Sequence, residues 1–133
     1  MPPSTQTMSA TPAKKGKTCK TLIVEDDAVA AGALVSILTK KGFQVETAPS
    51  VGDALVGLQW QPRAMILDLM LPDGNGVTVL RRVRKAQMPI KVAIVTGMHD
   101  PFALDEITDL KPDAVFEKPV DLMKIVKWLQ RAA

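Results

Sequence analysis

The chain reads as one α/β domain, a parallel sheet with helices on both faces. Three observations predict it. Five short apolar runs alternate with stretches whose apolar residues recur at helical spacing, with no internal repeat. The first, third and fourth runs are nearly continuous, the pattern of strands buried on both sides. Four of the five end on acidic, hydroxyl or basic residues, which parallel strands would gather at one edge.

Each element follows in order. Residues 21–24 form a first strand ending in Glu25-Asp26-Asp27. Residues 28–40 are helical, with Ala31, Leu34, Val35 and Leu38 on one stripe and Gly42 as the stop. Residues 43–47 alternate apolar and polar, as an edge strand with one wetter face would. Ser50 and Asp53 make a capping pair for a helix carrying Val51, Ala54, Leu55 and Leu58. After Pro62 comes the strand 64–68, closed by the turn formers Pro72-Asp73-Gly74-Asn75-Gly76.

Val77, Leu80 and Val83 face a third helix inward, leaving Arg81, Arg82, Arg84 and Lys85 for a solvated outer face. Residues 91–96 are a fourth strand. Asp100 and Pro101 open a helix with Ala103, Ile107 and Leu110 inside. Residues 114–117 are a short fifth strand running into Lys118-Pro119. Asp121 caps a last helix with Leu122, Ile125, Val126 and Leu129 inward, and Trp128 and Leu129 either packed or part of a contact surface with Phe102 and Leu104. Right-handed crossovers and the half-polar second strand favour a doubly wound, flavodoxin-like (βα)5 sheet of order 2-1-3-4-5.

Length suits one domain, residues 18–133, behind a Lys/Pro/Ser-rich tail at 1–17 expected to be flexible. No apolar run approaches membrane-spanning length, and the N-terminus lacks the apolar core of a secretory signal. The lone Cys19 excludes an internal disulfide, fits a reducing cytoplasm and reads as a small packed residue. The net charge of +3 is owed to Lys14, Lys15 and Lys17 of the tail, because cations and anions balance in the remainder. The folded part is therefore not a basic nucleic-acid surface.

The chemistry lies where the strands end. The first delivers Glu25 and Asp26, the third Asp68, the fourth Thr96 and the fifth Lys118. Three neighbouring carboxylates repel, so one should hold a proton unless a hard cation relieves them. An all-oxygen donor set of this kind suits Mg²⁺, which keeps open positions for phosphate oxygens. A lysine ammonium and a threonine hydroxyl complete a set able to hold a phosphoryl group during in-line transfer. Asp68 is the expected nucleophile, Asp26 a direct metal ligand and Glu25 a ligand through water.

Leu22-Ile23-Val24-Glu25-Asp26-Asp27, the run from Leu67-Asp68 to Asn75-Gly76, Val95-Thr96-Gly97 and Lys118-Pro119 together resemble the motifs of response-regulator receiver domains of two-component signalling, of the single-domain, chemotaxis-regulator kind. The resemblance covers residues 18–133. It implies that Asp68 accepts phosphate from a sensor histidine kinase or histidine phosphotransfer protein. It also implies Mg²⁺ held by Asp26, Asp68 and the main-chain carbonyl of Met70, and a cis Lys118–Pro119 bond; a dedicated nucleic-acid-binding domain is not expected, because the chain ends straight after the last helix. The protein would be a cytoplasmic phospho-acceptor switch rather than an enzyme acting on others.

In that family the Thr96-type hydroxyl moves toward the phosphoryl group and an aromatic ring on the fifth strand swings inward. Here that position is Val115. Phe116 follows it and should face the opposite side, so the switch pair Thr96–Val115 departs from the pattern. Met70 and Met98 stand where hydrolytic water would approach, which predicts a longer-lived phosphoryl-aspartate; His99 reads as a solvated loop residue.

Four rivals weigh against this reading. A haloacid-dehalogenase-type phosphatase needs a second acid two residues after its nucleophile, where Met70 stands. A flavodoxin-type cofactor site needs a Gly/Ser/Thr-rich phosphate loop after the first strand, not Glu25-Asp26-Asp27. A docking or dimerisation module independent of phosphorylation gains weight from Val115. A transcription factor is disfavoured by an end at Ala133, so output is expected through an unknown downstream protein.

Overall fold

The computed structural model describes residues 19–97 and 104–132. Along the chain run β1 (Lys20–Val24), α1 (Ala28–Lys40), β2 (Gln44–Ala48), α2 (Val51–Gly57), a 3₁₀ turn (Leu58–Trp60), β3 (Ala64–Asp68), α3 (Val77–Lys85), β4 (Lys91–Thr96), α4 (Leu104–Leu110), β5 (Ala114–Glu117) and α5 (Leu122–Ala132). The five strands are parallel in the order β2-β1-β3-β4-β5, the predicted doubly wound arrangement. The tail at 1–17, the Asp100-Pro101 cap, Phe102, Ala103, Met98 and His99 lie outside the described residues.

Strand alternation divides the core in two. Leu22, Val24, Met65, Leu67, Val92 and Ile94 point toward α2, α3 and α4. Ile23, Ala64, Ile66, Ala93 and Val95 point toward α1 and α5, where Leu34, Leu38, Ile125 and Leu129 meet them. Trp128 is buried in this second cluster, so it packs rather than docks. Truncating a fully buried leucine such as Leu67 to alanine removes contacts worth about 2–5 kcal/mol. β2 is an edge strand with a wet face, as its alternation predicted.

The helix ends obey local chemistry. Asp27 Oδ1 accepts from Val29 N and Ala30 N at 2.9 and 3.3 Å and starts α1. Ser50 Oγ accepts from Asp53 N at 3.0 Å to start α2, and Asp121 Oδ1 accepts from Met123 N at 3.0 Å to start α5. α1 stops at Gly42 (φ 92°), whose amide donates to Thr39 O while Phe43 N donates to Leu38 O. α3 stops in the same way at Gln87 (φ 55°), a left-handed position held by a non-glycine residue.

One expectation is corrected here. The cations of α3 were read as a solvated face, but Arg84 donates to Leu110 O and Lys111 O, both at 2.9 Å, and pairs with Asp113 at 3.2 Å. Asp113 also accepts from Val92 N at 2.8 Å, so Arg84 ties α3 to the end of α4 and the start of β4. Arg81 pairs with Glu106 of α4. Spacing along one helix cannot show the carbonyls that a second helix end leaves without partners.

Candidate functional site

The site forms where β1, β3 and β5 end. Glu25 N donates to Ala48 O at 3.0 Å, which extends the β1–β2 ladder by one residue and fixes where the acidic turn begins. Asp27 is taken up as the α1 cap, leaving Glu25 and Asp26 for the edge. Asp68 ends β3 and is only 3% exposed. Carboxylate oxygens of Glu25, Asp26 and Asp68 all lie within 4.8 Å of one another.

Both oxygens of Asp68 have fixed partners. Oδ1 accepts from Met70 N at 3.0 Å and Oδ2 from Lys118 Nζ at 2.8 Å. Asp68 does not cap the following helix; Asn75 Oδ1 accepts from Val77 N at 2.8 Å there instead. Lys118 is placed by its own amide, which donates to Thr96 O at 2.9 Å, and the Lys118–Pro119 peptide is cis.

The electrostatics follow from crowding. Glu25 is pushed up to about 7, first by burial and then by its hydrogen bond and proximity to Asp68, against a lowering hydrogen bond from Asp27 N. Burial works against a charged Lys118, but the Asp68 carboxylate outweighs it and holds the ammonium above its ordinary range. A cluster that keeps one carboxyl protonated near neutrality, with oxygen donors alone, fits a hard divalent cation.

Thr96 is buried at the end of β4, but its hydroxyl donates to Gly97 O at 3.1 Å rather than to the acidic cluster. Val115 is 49% exposed, while Phe116 packs against the α1–α5 cluster on the opposite side of β5. The structure thus brings Glu25, Asp26, Asp68 and Lys118 together with Met70, which lines the same cavity of about 690 Å³, and leaves Thr96 and Val115 outside it. Met70 itself is 66% exposed at the mouth.

Sequence reasoning read 72–76 only as turn formers, and two of those residues do more. A Cβ on Gly76 would come 2.2 Å from Asp68 O, so glycine is what lets the chain double back behind the acidic strand end. Asp73 accepts from Val51 N and Gly52 N at the start of α2. The glycine density was the available signal for the first; nothing local signals the second.

The model of the response regulator receiver domain matches residues 21–130. RegA, a photosynthetic apparatus regulatory protein of Cereibacter sphaeroides, is 35% identical over 77 residues, 57% of this chain and 42% of that protein. A protein-glutamate methylesterase/protein-glutamine glutaminase of Anaeromyxobacter dehalogenans is 38% identical over 104 residues, 74% of this chain and 29% of that protein. The chain thus spans less than half the length of these curated relatives. A CheY-like response regulator receiver domain protein from Methanospirillum hungatei superposes with a TM-score of 0.76 at 27% identity, covering 86% of this chain and 96% of that one. With the family match spanning nearly all of the described sheet, the chain belongs to the response regulator receiver domains of two-component signalling.

Proposed function

We propose that Asp68 is the phospho-acceptor of a Mg²⁺-dependent transfer from a phosphohistidine on a sensor kinase or phosphotransfer protein, and that residues 18–133 signal by protein contact in the cytoplasm. The observation carrying this reading is that one buried carboxylate meets an ammonium at 2.8 Å and two further carboxylates within 4.8 Å. Asp26, Asp68 and the Met70 carbonyl would hold the cation, with Glu25 acting through water. Bound there, it would offset negative charge on the transferring phosphoryl oxygens.

The rest falls to the chain. Met70 N–H and Lys118 orient the Asp68 carboxylate, and the ammonium stabilises charge as the Asp68 oxygen bonds to phosphorus and the nitrogen–phosphorus bond breaks toward the imidazole. Thr96 would turn its hydroxyl from Gly97 O to the new phosphoryl group.

Incubation with acetyl phosphate and Mg²⁺ tests this. An acid- and base-labile phosphoryl group should appear on the wild type and be absent from Asp68→Asn; its absence from both would overturn the reading. A second reading, docking without phosphorylation, is favoured by Val115 standing half exposed where a ring would couple. It predicts that partner capture is the same for wild type and Asp68→Asn with phosphorylation maintained.

A further inference from the structure

The turn after Asp68 is fastened to a helix that carries none of the clustered carboxylates of Glu25, Asp26 and Asp68. Asp73 Oδ1 accepts from Val51 N at 2.7 Å and Oδ2 from Gly52 N at 2.9 Å, the first two amides of α2. Those two bonds, Gly52 first, hold the Asp73 carboxyl below its ordinary range, so it is an anion at neutral pH. The helix has a cap of its own, because Ser50 Oγ already serves the third amide, Asp53 N. The Asp73 contact therefore adds a fastening between helix and turn beyond what a cap requires.

The turn it fastens is a small hairpin in which Met70 pairs with Asn75 and Leu71 with Gly74. At the far end of that hairpin, Met70 N donates to Asp68 Oδ1 at 3.0 Å. One continuous path thus runs from the start of α2, through the Asp73 carboxylate and the paired residues, to Asp68 Oδ1. Gly76 N, donating to Leu69 O at 2.8 Å, closes the base of the turn.

We propose that Asp73 is a positioning residue for the phosphoryl site: by clamping the hairpin to α2 it holds the Met70 amide on Asp68 Oδ1 and the Met70 carbonyl toward the cation. This rests on the Mg²⁺-dependent function proposed above. Removing a group that orients a metal ligand from behind typically weakens metal binding by about 10–100-fold.

The test is Mg²⁺ titration by calorimetry on the full chain, with the ¹H–¹⁵N resonance of the Met70 amide followed in parallel. Asp73→Ala should weaken Mg²⁺ about tenfold and shift the Met70 amide even before metal is added. Asp73→Asn, which keeps one acceptor oxygen, should fall between. Ser50→Ala removes a cap from the same helix without touching the hairpin; it should lower thermal stability and leave both readouts in place. Unchanged affinity in the Asp73 variants, or an equal loss in Ser50→Ala, overturns the clamp. Should Asp73→Ala fail to fold, unchanged affinity in Asp73→Asn overturns it alone. A wild type that binds Mg²⁺ while the Asp73 variants match it defeats only this inference, whereas a wild type that binds no Mg²⁺ defeats the proposed function as well.

Discussion

The carboxylate pocket around Asp68 and the proposed switch region of Thr96 and Val115 lie on one sheet, yet they are held to different degrees. In the pocket, both oxygens of Asp68 have a donor at about 3 Å, Glu25 Oε2 accepts from Asp27 N at 3.2 Å, and the turn behind is locked by Gly76 and Asp73. In the switch region, Thr96 turns its hydroxyl to its neighbour's carbonyl, and Val115 offers half its surface to solvent. The lesson is that phosphoryl chemistry needs groups fixed before the reaction, because reorganisation then adds nothing to the barrier. An output surface that must exist in two states is better left with weak alternatives.

The largest test strips the pocket of its ammonium. Lys118→Ala should slow phosphorylation from acetyl phosphate by about 10²–10³-fold, the usual cost of one preorganised donor. A rate within threefold of wild type would show that the pocket does not depend on that contact. Gly76→Ala comes next: the added Cβ meets a backbone oxygen that cannot retreat, which should cost about 3 kcal/mol in urea unfolding. An unchanged midpoint would mean that the turn is looser than the switch region.

Acidity provides a third measure of crowding. The folded protein keeps a proton on Glu25 up to about pH 7, whereas the unfolded chain releases it near 4.5. Without divalent metal, this group's contribution to stability should therefore fall as pH rises between those values and stay low above them. Mg²⁺ competes with that proton, so its stabilising shift in Tm should be larger at about pH 8 than at about pH 6. Equal shifts would separate Glu25 from the metal.

The smaller effects lie in the switch. The chain contains no tyrosine, so Val115→Tyr introduces a single tyrosine as reporter. Its stability should stay within about 0.5 kcal/mol of wild type, while phosphorylation should move the β5 amide resonances further than it does in the parent. The same response in both would place the coupling in Thr96 alone. Smallest is Met70→Asn, which puts a water-binding group at the mouth and should shorten the phosphoryl lifetime by a few fold; an unaltered decay would remove Met70 from control of hydrolysis.

Much of this was legible in the chain. Ala64–Asp68 is buried at every position and reads so from its unbroken apolar character. Ser50 and Asp121 could be read as helix starts, since a cap acts within three residues; Asp27, read with the acids of the strand end, proved to be a cap as well. Phe116 was placed opposite Val115 by strand alternation alone, and the structure keeps it there. Arg84 was misread because its acceptors, Leu110 O, Lys111 O and Asp113, are 26 to 29 positions away. Gln87 was missed because the left-handed position that ends α3 is held by a residue other than glycine, which gives no stop signal in the sequence.

The sequence by itself determined the order of elements, the face each strand residue takes and the acids, hydroxyl and ammonium assigned to the strand ends, because periodicity and strand direction are local properties that add along the chain. Only the tertiary structure decided which of those groups meet. It gathered Glu25, Asp26, Asp68 and Lys118, turned Thr96 aside, and tied Asp73 to α2 across 22 positions. Hydrogen bonds act over about 3 Å of space whatever their separation in sequence, so such meetings are settled by packing.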